Sequence, residues 1–312
     1  MSSSEKLKIL NDVLGNYIKD GKEIVYHCPL CNHHKNKLSI NVDKNAFKCW
    51  VCDYRGRNLR RLVRRFGSYR DLQKWDALTG RPDLSDFDKI FDQPNQEENI
   101  KLSLPEEFVS LTSKNLSVRA IEAKQYLYER GLTNADIAKW KIGFCYGGEY
   151  SGRVVVPSFN MSGELDFYVG RTFREHRNKY KNPKSNNNLV FNELYIDWDS
   201  DLTIVEGVFD AIVADNSVPI LGSTLTKNSR IIKNIVKYDT TVFLALDDDA
   251  KKKELSIIET LSRFDIEMYK IDTSGFDDVG SMTKEEFQKR KNNAKFVNID
   301  NYIIMQKLME IK

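Results

Sequence analysis

The chain has 312 residues, enough for two or three domains with cores of their own, and its 41% hydrophobic and 30% charged content is that of a soluble globular protein. No apolar run approaches the ~20 residues that span a bilayer, and MSSSEKLKILNDVLG lacks the apolar core of a signal peptide, so no membrane partner and a cytoplasmic location are expected. The net charge of +3 hides an asymmetry: residues 1–81 carry 17 Lys+Arg against 8 Asp+Glu, a net of +9, which points to a polyanionic partner for the N-terminal region.

Four of the five cysteines fall in one stretch, CPLCNHHKNKLSINVDKNAFKCWVC. Cys28-x2-Cys31 and Cys49-x2-Cys52, 17 residues apart, have the spacing of a structural zinc site, as clustered cysteines in a reducing compartment do. Each pair can turn back so that both sulfurs face one ion, and the strand-like LSINV and AFKCW predict a hairpin that joins the pairs. Four thiolates leave no open coordination position, so this Zn²⁺ is structural; His27, His33 and His34 are alternatives if one cysteine is not a ligand. Cys145 stands alone, as a small core residue.

RGRNLRRLVRRFG follows. Leu59, Leu62, Val63 and Phe66 recur at helical spacing, with Arg57, Arg60, Arg61, Arg64 and Arg65 on the other side and no acid among them. Such a face repels itself unless phosphates neutralise it, so Arg60, Arg61 and Arg64 are expected to hold single-stranded nucleic acid.

Residues 82–104, with two basic and six acidic residues and little periodicity, predict a linker. Beyond it, 117–130 predicts a helix stopped by Gly131, and Thr133-x-x-Asp136 a capping box that opens another. GRVVVPSF, the turn NMSG and ELDFYVGRTF predict a β-hairpin. The pattern then changes: LTIVE, VPILG, TVFLALD and IEMYKID are short apolar runs separated by helical stretches, the signature of a mainly parallel sheet with helices on its faces.

Acids stand at three of those strand ends. Glu206 closes LTIVE, with Gly207 at the turn and Asp210 in the first turn of the next helix; Asp247, Asp248 and Asp249 close TVFLALD; Asp277 and Asp278 follow IEMYKID. Open α/β sheets bind ligands at this edge. Carboxylates gathered there repel unless cations lie between them, and an all-oxygen set suits Mg²⁺ or Mn²⁺.

The string from Glu206 to Asp249 resembles a Toprim domain, with its EGxxD and DxD signatures. The series YLYERGLTNADIAKWKIGF, GRVVVPSF, GELDFYVGR, KYKNP, LTIVEGVFDAIVA, LGSTLT and LALDDDA, in that order and with the cysteines in front, resembles the bacterial and phage primase family. The resemblance implies an α/β protein (α+β overall): a zinc ribbon over 1–81, the linker 82–104, a basic mixed α+β subdomain over 105–200, a Toprim-like parallel sheet over 201–280 and a helical segment over 281–312. It implies a DNA-dependent RNA polymerase that makes short primers for DNA replication from ribonucleoside triphosphates, with a replicative helicase as partner. Glu206, Asp210, Asp247 and Asp249 match the family's catalytic acids, Glu206, Asp247 and Asp249 being the magnesium ligands. Arg153, Arg171, Lys179 and Asn182 match its nucleotide- and template-binding groove.

The chain departs from that pattern in three ways. Cys31 stands where cellular members usually have His. SGFDDVGSM is only loosely similar to the third acidic motif, which leaves the role of Asp277 and Asp278 open. Little chain follows residue 280, so a helicase-binding domain is expected to be absent or reduced to a tail over 300–312, as in a phage-type protein in the host cytoplasm. The lack of a GxxxxGK[ST] loop argues against a fused ATPase or helicase. The rival reading is a non-catalytic DNA-binding regulator of the same fold.

Overall fold

A computed structural model describes residues 3–20, 23–80, 102–174, 177–183, 188–222, 225–247 and 250–310. The chain forms two compact units, Met1–Phe87 and Asp88–Lys312. The predicted 82–104 linker lies almost wholly outside the described residues, as do Asp248 and Asp249.

The first unit is a five-stranded antiparallel sheet in chain order: β1 (Ile18–Asp20), β2 (Glu23–Tyr26), β3 (Leu38–Asn41), β4 (Ala46–Cys49) and β5 (Arg55–Gly56). Helix α1 (Ser3–Leu14) packs with α2 (Arg60–Phe66) and α3 (Tyr69–Thr79). The inner face of the α2 segment is the predicted one: Leu59, Leu62 and Val63 are fully buried. Burial of each such side chain contributes about 1.5–3 kcal/mol, a large share for a unit this small.

The second unit holds two sheets. One runs antiparallel through β6 (Phe108–Ser110), β7 (Gly143–Cys145), β8 (Arg153–Phe159), β9 (Leu165–Thr172) and β10 (Tyr180–Lys181). The predicted hairpin is β8–β9, closed by Gly163 at φ +77°. Helix α4 (Val118–Glu129) starts at Ser117 and stops before Gly131 at φ +79°, and α5 (Asn134–Lys139) starts at the Thr133–Asp136 capping box. Cys145 is fully buried in β7, and burial raises its thiol to about 12.

The other sheet has the order β12 (Ser217–Pro219), β11 (Leu202–Val205), β13 (Val242–Ala245), β14 (Met268–Lys270), β15 (Lys295–Val297). The first four are parallel and β15 is an antiparallel edge. All residues of LTIV and VFLA are buried, as strands covered on both faces must be. The coverings are α6 (Val208–Val213), α7 (Arg230–Tyr238), α8 (Lys251–Ser262), α9 (Lys284–Asn292) and α10 (Ile299–Glu310). The predicted tail helix is part of this core: Tyr302 is buried and its hydroxyl donates to Glu254 Oε2 at 2.5 Å. Among the described residues no helix is long and apolar enough to cross a membrane.

Candidate metal centre and active site

In the first unit, β3 and β4 pair with Leu38 opposite Cys49, which brings the loop after β2 beside the end of β4. Cys28 Sγ lies 3.8 Å from Cys52 Sγ, Cys31 Sγ lies 3.9 Å from Cys49 Sγ, and all four sulfurs fall within 4.8 Å of one another. A tetrahedral ion with Zn–S bonds of about 2.3 Å separates its sulfurs by about 3.8 Å, so the set fits zinc. Without an ion the crowding acts against ionisation: the hydrogen bond with Cys28, then burial, pushes the Cys52 thiol up. His27 and His33 lie outside the cluster; His27 Nδ1 is 3.2 Å from the His33 carbonyl.

The arginine helix differs from its reading. Arg60 Nε and Nη2 donate to the two carboxylate oxygens of Asp76 in α3 at 2.6 and 2.8 Å, and Arg61 is buried. The stretch that carries these arginines holds no acid, but α3, packed against α2, supplies one sixteen positions on. Arg60 and Arg61 are thus structural cations rather than a phosphate-facing pair, while Arg57 lies exposed and Arg64 partly so.

In the second unit the acids gather at the carboxyl edge of the parallel sheet. Glu206 directly follows β11, Asp247 lies two residues after β13, and Asp278 starts the short turn Val279–Ser281 beyond β14. The three line one cavity of about 360 Å³ together with Asp210, Arg130, Arg171, Tyr180, Phe209 and Asn182. A larger cleft of about 710 Å³, against Ala211–Ser217 and α9, contains none of Glu206, Asp247 and Asp278, so size does not select the site.

Asp210 is buried and commits both carboxylate oxygens to backbone: Gly207 N–H donates to Oδ2 at 2.7 Å and Gly280 N–H to Oδ1 at 2.8 Å. It thereby ties the Glu206–Gly207 turn to the segment that carries Asp278. Gly280 must be glycine for this approach, since a Cβ there would lie 2.9 Å from Asp210 Oδ1. Burial, opposed by the Gly207 N–H, and the charge of Asp278 raise the Asp210 carboxyl to about 6. Asp210, expected as a catalytic acid, thus crosslinks two segments of this site.

Glu206 and Asp278 are different. Glu206 Oε1 and Asp278 Oδ1 are buried with no hydrogen-bond partner among the described residues. Glu206 Oε2 lies 3.4 Å from Lys253 Nζ, and Asp278 Oδ2 lies 3.9 Å from Arg130 Nη2. Buried carboxylate oxygens without donors are destabilising, and a hard cation is the usual remedy. Among the described residues only the four cysteines draw three or more Cys, His, Asp or Glu side chains together closely enough to hold an ion.

Two guanidiniums line the same cavity. Arg130 lies 4.9 Å and Arg171 5.1 Å from the Phe209 ring centroid, and Arg171 also stacks on Tyr180 and donates to its hydroxyl. Arg130 and Phe209 were not among the expected residues, although YLYERG contains one and EGVFD the other. Arg153 departs from expectation in the other direction: it is buried, and Nη1 and Nη2 donate to the carbonyls of Lys179 and Asn178 at 3.1 Å. It props the residues that lead into β10 rather than facing a ligand. Lys179 is exposed outside the cavity, and Asn182 lines it.

No protein-family model matches the chain. A DNA primase of Campylobacter jejuni is 25% identical over 299 aligned residues, which cover 79% of this chain and 48% of that protein. The other curated relatives found are likewise bacterial DNA primases, so the resemblance to that family holds. The chain spans about half the length of the curated relatives it matches. Its fold is similar to the zinc-binding and RNA polymerase domains of Aquifex aeolicus primase, with a TM-score of 0.50 and 20% identity over 95% of this chain and 87% of that one. It is also similar to a DnaG primase catalytic domain bound to single-stranded DNA, with a TM-score of 0.53 and 18% identity over 62% of this chain and 77% of that one.

Proposed function

We propose that the protein is a primase, a DNA-templated RNA polymerase that starts short RNA chains on single-stranded DNA for replication. The observation that carries this reading is the cavity that Glu206, Asp247 and Asp278 line together with Arg130 and Arg171 at the carboxyl edge of the parallel sheet. The similarity to proteins named DNA primase supports it.

The donor chemistry fits Mg²⁺ or Mn²⁺: carboxylate oxygens alone, two of them buried without donors among the described residues. The expected ligands Glu206, Asp247 and Asp249, together with Asp278, would hold such an ion, which would draw Glu206, Asp247 and Asp278 closer than they lie in the structure. It would polarise the α-phosphate and lower the pKa of the attacking ribose hydroxyl. The chain's own residues do the rest. Arg130 and Arg171, braced against Phe209, bind triphosphate oxygens in bidentate fashion and offset the charge that builds as pyrophosphate leaves. Lys253 holds the second oxygen of Glu206, and Asp210 fixes the spacing between the turns that bear Glu206 and Asp278.

The zinc-bearing unit binds the template and selects where synthesis starts. A replicative helicase is the partner that such an enzyme needs at a fork.

The test is primer synthesis by the purified chain on single-stranded templates of varied sequence, with labelled ribonucleotides and Mg²⁺ or Mn²⁺. Short RNAs from selected sites are expected. A protein that binds single strands but joins no two nucleotides with either metal is instead the non-catalytic regulator.

A further inference from the structure

Registers in the first unit's sheet align Ile18, Val25, Ser39, Lys48 and Arg55 in one row across all five strands. Along β4, Phe47 and Cys49 point into the unit, whereas Lys48 takes the opposite face. Trp50, inside the second cysteine pair, directly follows β4 and reaches back over Ser39 in that row. Its indole Nε1–H donates to Ser39 Oγ at 2.9 Å and its backbone N–H to the Lys37 carbonyl at 2.9 Å. Lys48 Nζ lies 4.8 Å from its ring centroid.

Despite these ties the side chain is 64% exposed, while the other three tryptophans, Trp75, Trp140 and Trp198, are buried. A tryptophan left in water on a small unit with a scarce apolar core forgoes burial that the unit needs, unless something covers it. Its indole N–H is satisfied within the protein, so what a partner can use is the exposed part of a ring held still, beside or in place of the Lys48 ammonium that lies over it.

We propose that Trp50 is a stacking platform for an unpaired base of single-stranded nucleic acid, with Lys48 and Arg55 exchanging the carboxylate of Asp53, which both hold in the free protein, for the phosphates beside it. The occupant follows from charge and shape. The region carries a net charge of +9 over residues 1–81, and a rigid exposed aromatic flanked by cations on a sheet face is how single strands are gripped without pairing. A protein partner would instead meet Trp50 and the 49% exposed Val51 on a region of net charge +9, whereas the core of a protein-binding surface is depleted of charge. The inference rests on the reading of this unit as the template-binding one, and it adds the group that orients a base.

Fluorescence and binding of the full chain test it. Single-stranded DNA is expected to quench the emission of the exposed tryptophan, and Trp50→Phe, which keeps a ring, is expected to abolish most of that quench while binding nearly as well. Trp50→Ala is expected to weaken binding about tenfold, the scale of removing one base–aromatic stack, with zinc content unchanged because Trp50 is no ligand. If Trp50→Ala loses zinc, the quench comparison between wild type and Trp50→Phe decides alone. An equal quench in both proteins, or unchanged affinity in a zinc-replete Trp50→Ala, overturns the proposal. Extension of a pre-annealed RNA primer separates this outcome from the polymerase reading. A chain that extends such primers but ignores residue 50 loses only the platform, and one that quenches at Trp50 yet never extends loses only the polymerase.

Discussion

Asp210 and Asp278 sit in the same cavity and do different work, and substitution separates them. Asp210 satisfies two backbone N–H groups from separate segments, so Asp210→Ala strands both and is expected to cost about 2–4 kcal/mol, seen as a lowered denaturation midpoint. Asp278→Asn keeps shape and is expected to leave the midpoint nearly unchanged while cutting synthesis at least ~10-fold. Asp136 offers a pH test away from the acids. Burial raises its carboxyl, but the Lys284 ammonium and the Thr133 N–H and hydroxyl outweigh it, and the group stays below its ordinary value. A depressed folded pKa gives stability that is complete above the unfolded value, about 4, and is lost as pH falls through the folded one. The stability gap between wild type and Asp136→Asn in urea melts is expected to be about 1–3 kcal/mol at pH 7 and to shrink as the pH falls below about 4. A gap that stays constant with pH would mean that the pair contributes nothing through its charge.

At the scale of elements, the α2–α3 pair is held by a two-pronged ion pair that is largely shielded, Arg60 and Asp76 keeping 14% and 17% of their side-chain surface exposed. Arg60→Ala leaves Asp76 uncompensated and is expected to destabilise the first unit by about 1–3 kcal/mol. It is also expected to leave the salt dependence of single-strand binding unchanged, whereas removing a cation that does hold a phosphate lowers that slope by about 0.7. Titrations at several salt concentrations distinguish the two. The cysteine ribbon makes a second prediction at this scale. A unit with so small a core depends on its ion, so Cys49→Ser or a strong chelator is expected to unfold Met1–Phe87 and spare the remainder. Limited proteolysis that cuts the first unit and leaves a stable fragment of the second is the expected result.

For the whole molecule, the sequence was most legible where spacing itself encodes geometry. The paired cysteines, the β8–β9 hairpin, the capping box at Thr133 and the four parallel strands, three of them followed by acids, all follow from local patterns, and the structure has each of them. Charges whose partners come from distant elements were not legible. Arg60 reads as a nucleic-acid contact until α3 brings Asp76, Arg153 as a groove residue until the segment before β10 brings its carbonyls, and Asp278 as a loose motif until Asp210 reaches Gly280. Three-residue strands such as β6, β7 and β15 carry too little pattern to be seen at all. The central claim is that the acids at the carboxyl edge of the parallel sheet perform nucleotidyl transfer. Its most direct test is Glu206→Gln, which keeps the shape of a side chain that owns a buried, donor-less oxygen and removes one charge. Primer synthesis on single-stranded DNA, measured beside template affinity, is expected to fall at least ~100-fold, the scale of losing a main electrostatic stabiliser, while affinity holds. Synthesis at the wild-type rate by Glu206→Gln would contradict the account.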